Sequence, residues 1–454
     1  MSYWRTLMTP SRLKLLCVLL GLASSPLHAQ LATLKDGSSN TLVISEQPVQ
    51  RPITVPLGDG SVRFISQDLN NAGNGSLTGI GSLTTRGSLT GNVQQTVGGA
   101  SGNQSVSVAG AEGSVNAGNA SLTGGISSDV NQNVGGSARG AQQRVGAGSL
   151  VGSSVGRVDT RGEINGAPIV QSLTVGTGAR QIIEAGGVSG SQASSVVTRG
   201  TISGGVTQLQ DTGTGVSQSL TAGSVSNVDA AGSVLARGTV SGAVNQINQG
   251  SVNQNIEAGS VRGGSPLEVR TQGDILGNVT QTAGKGSGGS QTLQVGSVVN
   301  TTGNVETRGS TLGAITQIND ASPNVEQGIS VGSVIRGSGQ AITEAVSTGN
   351  ISQTAKSAGA LKQSISIGGV ENAGGVVTTR AFVSGNLNQS VSGSSGSQTI
   401  NLGGVRNSAG NITTDVVVTG NVSQTLSGSS NGNQKVLVGG VEGAQQAGSV
   451  VNDQ

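Results

Sequence analysis

The side chains that most often carry chemistry are confined to the first 29 residues. Cys17 and His28 are the only cysteine and histidine among 454 residues, and Met1, Tyr3, Trp4 and Met8 lie in the same stretch. Beyond it there is no thiolate or imidazole to serve as nucleophile, base or zinc ligand, and no Ser-His-Asp triad. Carboxylates remain, and a pair of them held in one cleft can hydrolyse a glycoside. Yet Asp159, Asp211, Asp229 and Asp274 share no common position in the repeat set out below, and Phe64 and Phe382 are the only aromatics left to line a cleft. The expectation is a protein that is not an enzyme, with no catalytic residues, cofactor or metal.

Charge excludes another class. Three of the 24 basic residues (Arg5, Arg12, Lys14) precede residue 30, which leaves 21 against 22 acids. A near-neutral chain without a basic cluster or stacking aromatics is no nucleic-acid binder. The same three cations form a basic start, followed by the apolar run Leu15 to Ala23 and a polar stretch with Pro26. That is the pattern of a secretory signal peptide over residues 1–29, cleaved near Ala29 and too short to anchor the chain in a bilayer. The expected location is extracellular, associated with the cell surface.

What must position the remaining polar groups is a repeat. An aliphatic residue, any residue and Gln recur ten times, ending at Gln95, Gln132, Gln171, Gln208, Gln246, Gln281, Gln317, Gln353, Gln389 and Gln424. These glutamines stand 35 to 39 residues apart. We call this segment A. Segment B starts 8 to 11 residues later at Gln104, Gln143, Gln181, Gln218, Gln254, Gln291, Gln327, Gln363, Gln398 and Gln434. It alternates Gln, aliphatic, aliphatic and then usually reaches Gly-Gly or Gly-Ser, as in Gln398-Thr-Ile-Asn-Leu-Gly-Gly-Val405. Gly-rich links between A and B read as corners.

Alternation of branched residues predicts strands. The parity is unusual, because each Gln shares a face with the apolar residues: Leu387, Gln389 and Val391 on one strand, Gln398, Ile400 and Leu402 on the next. A buried amide is costly unless paired. Stacking equivalent glutamines about 4.8 Å apart lets each amide bond to its neighbours above and below. The fold class expected is therefore all-β, a repeat β-solenoid or cross-β stack of about ten repeats of 36–37 residues. Whether a repeat makes one broad coil or two narrow ones stays open at this level.

A third element precedes segment A, a Thr-Arg-Gly-like stretch that contributes Arg86, Arg161, Arg199, Arg237, Arg270, Arg308 and Arg380. Five of the seven lie nine residues before the segment-A Gln, an odd offset that points them outward. Such a stripe either binds an anionic surface or polysaccharide, or is a solvated row that limits lateral strand pairing. Residues 30–84 lack the repeat and carry Pro48, Pro52, Pro56 and Phe64. They are expected to be a leader or a cap for the repeat region at 85–454.

The Gln/Asn/Gly repeats, with segments such as Ser430-Asn431-Gly432-Asn433-Gln434, resemble in style the subunits of bacterial functional amyloids of the curlin and Fap types. The resemblance implies a secreted, self-assembling fibre protein for biofilm matrix and attachment, with itself as main partner. It also implies export through a dedicated outer-membrane pore; extracellular polysaccharide is a further partner to which the arginine stripe could bind. The alternative reading is a monomeric β-solenoid adhesin for glycans or a host surface.

Overall fold

The computed structural model describes residues 41–45, 53–57, 61–65 and 77–453, apart from 91, 98–102, 113–114, 167, 231, 285, 287, 321–322, 338, 429–430 and 444–446. Residues 1–29, expected above to be a signal peptide, lie outside the described residues, as does the rest of 30–76. Within the described residues the secondary structure is strand throughout, without a helix.

Each repeat winds one coil. In the fourth, a long strand Gln192–Ile202 carries the Thr-Arg-Gly element, Val206–Thr214 is segment A and Val216–Ala222 is segment B. The two-residue strand Val225–Ser226 then leads back to the next long strand. Equivalent strands of successive coils pair in parallel and in register: Gln208 with Gln246, Gln218 with Gln254, Arg199 with Arg237. This gives a long-strand sheet, a short-strand sheet, and two ladders of A and B strands. One broad coil per repeat is thus the answer to the question the sequence left open. In the eighth and ninth repeats the link expected as a corner is itself strand, so that Ile351–Ile367 and Leu387–Leu402 each run through A and B unbroken.

Three earlier strands belong to the same stack. Thr41–Ser45 pairs with the first long strand, placing Ser45 beside Arg86. Ile53–Leu57 and Ser61–Ile65 pair with the first A and B strands, placing Val55 beside Gln95 and Val62 beside Gln104.

Parity follows the sequence pattern. In Val216–Ala222 every second residue is buried, beginning with Val216. The interior of each coil holds an apolar zone where the long strand meets the arch formed by A and B, with Ile202, Val206, Leu220 and Ala222 in the fourth coil. A second lies between long and short strands, around Val196, Val225 and Val234. A third fills the arch tip with Leu173, Ala179 and Val216. Sharp corners between these zones need backbone that L residues avoid. The corner after segment B is left-handed in every coil, for example Gly186 (φ 63°) and Gly223 (φ 57°), positions where glycine carries no Cβ penalty. The first coil places Ala109 there (φ 51°), at the poorest copy of the motif.

Candidate functional site

The glutamine columns are the interior polar system of the molecule. Eighteen of the twenty glutamines, all but Gln424 and Gln434, are buried to 1% exposure or less. From the second coil onward each amide donates from Nε2 to the Oε1 of its counterpart one coil earlier. In the A column Gln246 donates to Gln208 at 2.7 Å and Gln281 to Gln246 at 2.8 Å. In the B column Gln254 donates to Gln218 and Gln291 to Gln254, both at 2.8 Å. The A column ends at Gln424, which donates to Gln389, and the B column at Gln434, which donates to Gln398, again at 2.8 Å.

An amide nitrogen has two hydrogens. The second one ties the two halves of the arch together. Gln208 donates also to the carbonyl of Ser219 at 3.3 Å, across the interior, while Gln218 donates back to the carbonyl of Gln208 at 3.0 Å. The amides therefore bond both along the axis and across the coil. A polar group that would cost several kcal/mol if buried alone is satisfied by its neighbours in a low-dielectric interior that strengthens each bond.

Two further buried polar sets escaped the reading of the sequence. The Thr of the Thr-Arg-Gly element points inward and donates to the glycine carbonyl at the corner after segment B: Thr160 to Gly186 at 2.5 Å, Thr307 to Gly332 at 2.6 Å, and Thr198 to Gly223. Its signal was its place two residues from the inward glycine of the motif, hidden because Thr is equally at home outside. At the arch tip, Asn248 donates to Gln210 at 2.8 Å, and both are fully buried. For the first set we expect Thr307→Val, which keeps the shape and deletes the hydroxyl, to lower stability by about 1–2 kcal/mol through the orphaned carbonyl. A urea titration measures this, with the exposed neighbour Arg308→Ala as reference.

The arginines lie outside. Arg86, Arg161, Arg199, Arg237, Arg308 and Arg380 are exposed and share one register row of the long sheet, with Thr123, Gln272, Glu344 and Asp415 filling the other coils. Arg270 is not in that row. It pairs with Leu235 and Glu306, two residues back along the strand, and Gln272 takes its place. No insertion displaces it: the step from Ile275 to Val279 equals that from Ile202 to Val206, and Thr271-Gln272-Gly273 occupies the register of Ala236-Arg237-Gly238, with Arg270 two residues earlier on the strand. Arg161, ten residues before its Gln, still reaches the row. The step from Ile164 to Ile169, where its long strand ends and segment A begins, is one residue longer than the step from Ile202 to Val206 in the next coil.

Three of the six arginines in the row are ion-paired with acids of the same face. Arg161 meets Glu163 at 2.6 Å and Arg199 meets Asp159 at 2.9 Å. Arg308 lies 3.3 Å from both Glu306 and Glu344. These pairs are exposed and individually contribute little to stability. The one nearly buried charge pair among the described residues is Arg144–Glu184 at 2.9 Å, joining the B strands of the second and third coils.

The four aspartates considered for acid chemistry are dispersed. Asp159 and Asp274 sit on the long sheet, occupied by Arg199 and by the Ser310 hydroxyl; Asp229 is exposed on the same sheet beside Gln192, and Asp211 is exposed on a segment-A strand. Among the described residues no group of three or more acidic, His or Cys side chains could hold a metal ion, and no helix is long and apolar enough to cross a membrane. No protein-family description, curated protein or solved structure matches this chain.

Proposed function

We propose that the chain is a secreted, non-catalytic structural subunit whose coils stack end to end into extracellular fibres for biofilm matrix and attachment. The observation that supports this is the polarity of the glutamine columns. Every coil presents donors toward one end and acceptors toward the other, so its two faces are complementary and the contact never closes on itself. Such heterologous contacts generate filaments. The tenth coil carries the same motif as the others, yet its inward Gln424 is only half-buried and Gln434 is exposed. Among the described residues both donate backward, and neither Oε1 accepts a hydrogen bond. An exposed parallel edge of this kind recruits further strands.

The opposite end differs. Val55 and Val62 occupy the register positions of the two glutamine columns. In this reading the strands Ile53–Leu57 and Ser61–Ile65 cap the two amide columns and slow end-to-end stacking. The main partner is the protein itself. Passage through an outer-membrane pore and embedding among matrix polysaccharides complete the proposal.

Electron microscopy and fibre diffraction of the protein from residue 30 onward test it. The expected result is unbranched fibres with a meridional reflection near 4.8 Å. The variant V55Q/V62Q, which extends both columns by one layer, should shorten the lag phase severalfold. Protein that stays soluble and monomeric in both forms, at concentrations up to the millimolar range, would overturn the assignment.

A further inference from the structure

The outer face of the long sheet changes character along the molecule. In the first five repeats its outward positions carry five arginines and three acids, namely Asp159, Glu163 and Asp229. In the last five they carry three arginines and five acids, among them Glu344 and Asp415. One half is net positive and the other net negative. The negative half also exposes large apolar side chains: Ile342 is 51% exposed, Phe382 40% and Val417 46%. Val346, Phe382 and Val417 form one column.

We propose that this face docks against the same face of a second copy, antiparallel, about a two-fold axis that runs along the strands. The axis reverses the order of coils and keeps each register row opposite itself. Coil one then faces coil ten, so Arg86 meets Asp415. Coil three faces coil eight, so Arg161 meets Glu344. Coil two faces coil nine, and Phe382 meets Gly125, where an added Cβ would find nothing within 4 Å. Arg199 meets Arg308 in this arrangement, a like-charge pair softened by Glu306, 3.3 Å from Arg308. The contact is isologous, so each of these meetings occurs twice. Charge complementarity of this kind sets register and orientation.

The area is sufficient. Ten strands about 4.8 Å apart, each with about seven residues of about 3.3 Å, cover roughly 1,100 Å² per copy. That is about 2,200 Å² in total, above the roughly 1,600 Å² of a standard specific interface. The pairing is lateral and independent of the end-to-end stacking proposed above. It is read on soluble protein before any fibre forms.

Sedimentation velocity of the protein from residue 30 onward tests it. The unsubstituted chain should form a dimer that weakens as salt rises from 50 to 500 mM, since exposed pairs are screened over about 10 Å at 0.1 M. R161E alone should weaken dimerisation at least tenfold, because the new carboxylate then faces Glu344 in both halves of the contact. E344R alone should do the same, with the new guanidinium facing Arg161. An equimolar mixture of the two variants should recover a heterodimer, since every altered contact is again of opposite charge. The double variant R161E/E344R should likewise recover its homodimer. Circular dichroism of each variant guards against a folding defect, and the mixture itself is immune to one, because a misfolded chain would not regain partnership on mixing. A monomeric unsubstituted chain overturns the proposal. So does a dimer indifferent to both substitutions, or failure of the mixture to re-associate. Tight binding of an anionic polysaccharide such as alginate by a chain that does not dimerise would assign the face to a ligand instead.

Discussion

Gln389→Ala lowers the stability of the ninth and tenth coils by about 2–4 kcal/mol, while Asn388→Ala changes it by less than about 0.5. The two residues are adjacent on one strand, one inside and one outside. Gln389 is fully buried, donates to Gln353 Oε1 at 2.8 Å and to the Thr399 carbonyl at 3.3 Å, and accepts from Gln424 at 2.8 Å. Truncation orphans the Gln353 acceptor and one Gln424 proton, and leaves a void between Leu387 and Val391 that fixed strands cannot close. Asn388 is exposed. In a stacked repeat protein each coil touches only its neighbours, so the loss is local rather than global. Hydrogen exchange of coils nine and ten reads it directly, and a denaturant titration gives the sum. Equal effects from both substitutions would place the amide outside the core.

The largest single-residue effect outside the amide columns is expected at Gly200. Its strand passes so close to the corner after segment B that a Cβ would run into the backbone nitrogen of Gly223 and the carbonyl oxygen of Ala185. These are backbone atoms, which cannot swing aside as a side chain would. Gly200→Ala should therefore destabilise by about 2–3 kcal/mol, the magnitude of overpacking a close-packed interior. Exposed Gly205, immediately before segment A of the same coil, has nothing within 4 Å of an added Cβ. Gly205→Ala should be neutral or slightly stabilising, within about 0.5 kcal/mol, through the unfolded chain. The eighth and ninth coils hold Ala345 and Ala381 at this register position, buried to 2% and 5%. A wider corner is thus attainable where consecutive coils share it, whereas Gly200 lies between Gly162 and Gly238. Paired midpoints of unfolding for the two alanine variants check the contrast. A Gly200→Ala chain as stable as the Gly205→Ala chain would show that the corner opens freely.

Sequence alone determined the all-β stack, the period of the repeat and the inward parity of the glutamines. Those properties are local: alternation along a strand decides which face a side chain occupies, and Gln389 keeps phase with Leu387 and Val391 whatever the strand packs against. The outward direction of the arginines is local for the same reason. Which coil-to-coil row an arginine joins is not, because it depends on strand pairing and on where loops absorb insertions: a longer step after Ile164 keeps Arg161 in the row, while Gln272 pairs with Arg237 and leaves Arg270 two residues off it. Only the tertiary structure decided that a repeat makes one broad coil, since that choice turns on whether segment B pairs with segment A or with the next segment B. It also decided that A and B face each other, which gives Gln208 and Gln218 their crossing bonds and gives Thr307 a carbonyl 25 residues away. Such partners are chosen by the closing of the coil, a long-range event that no spacing within one strand records.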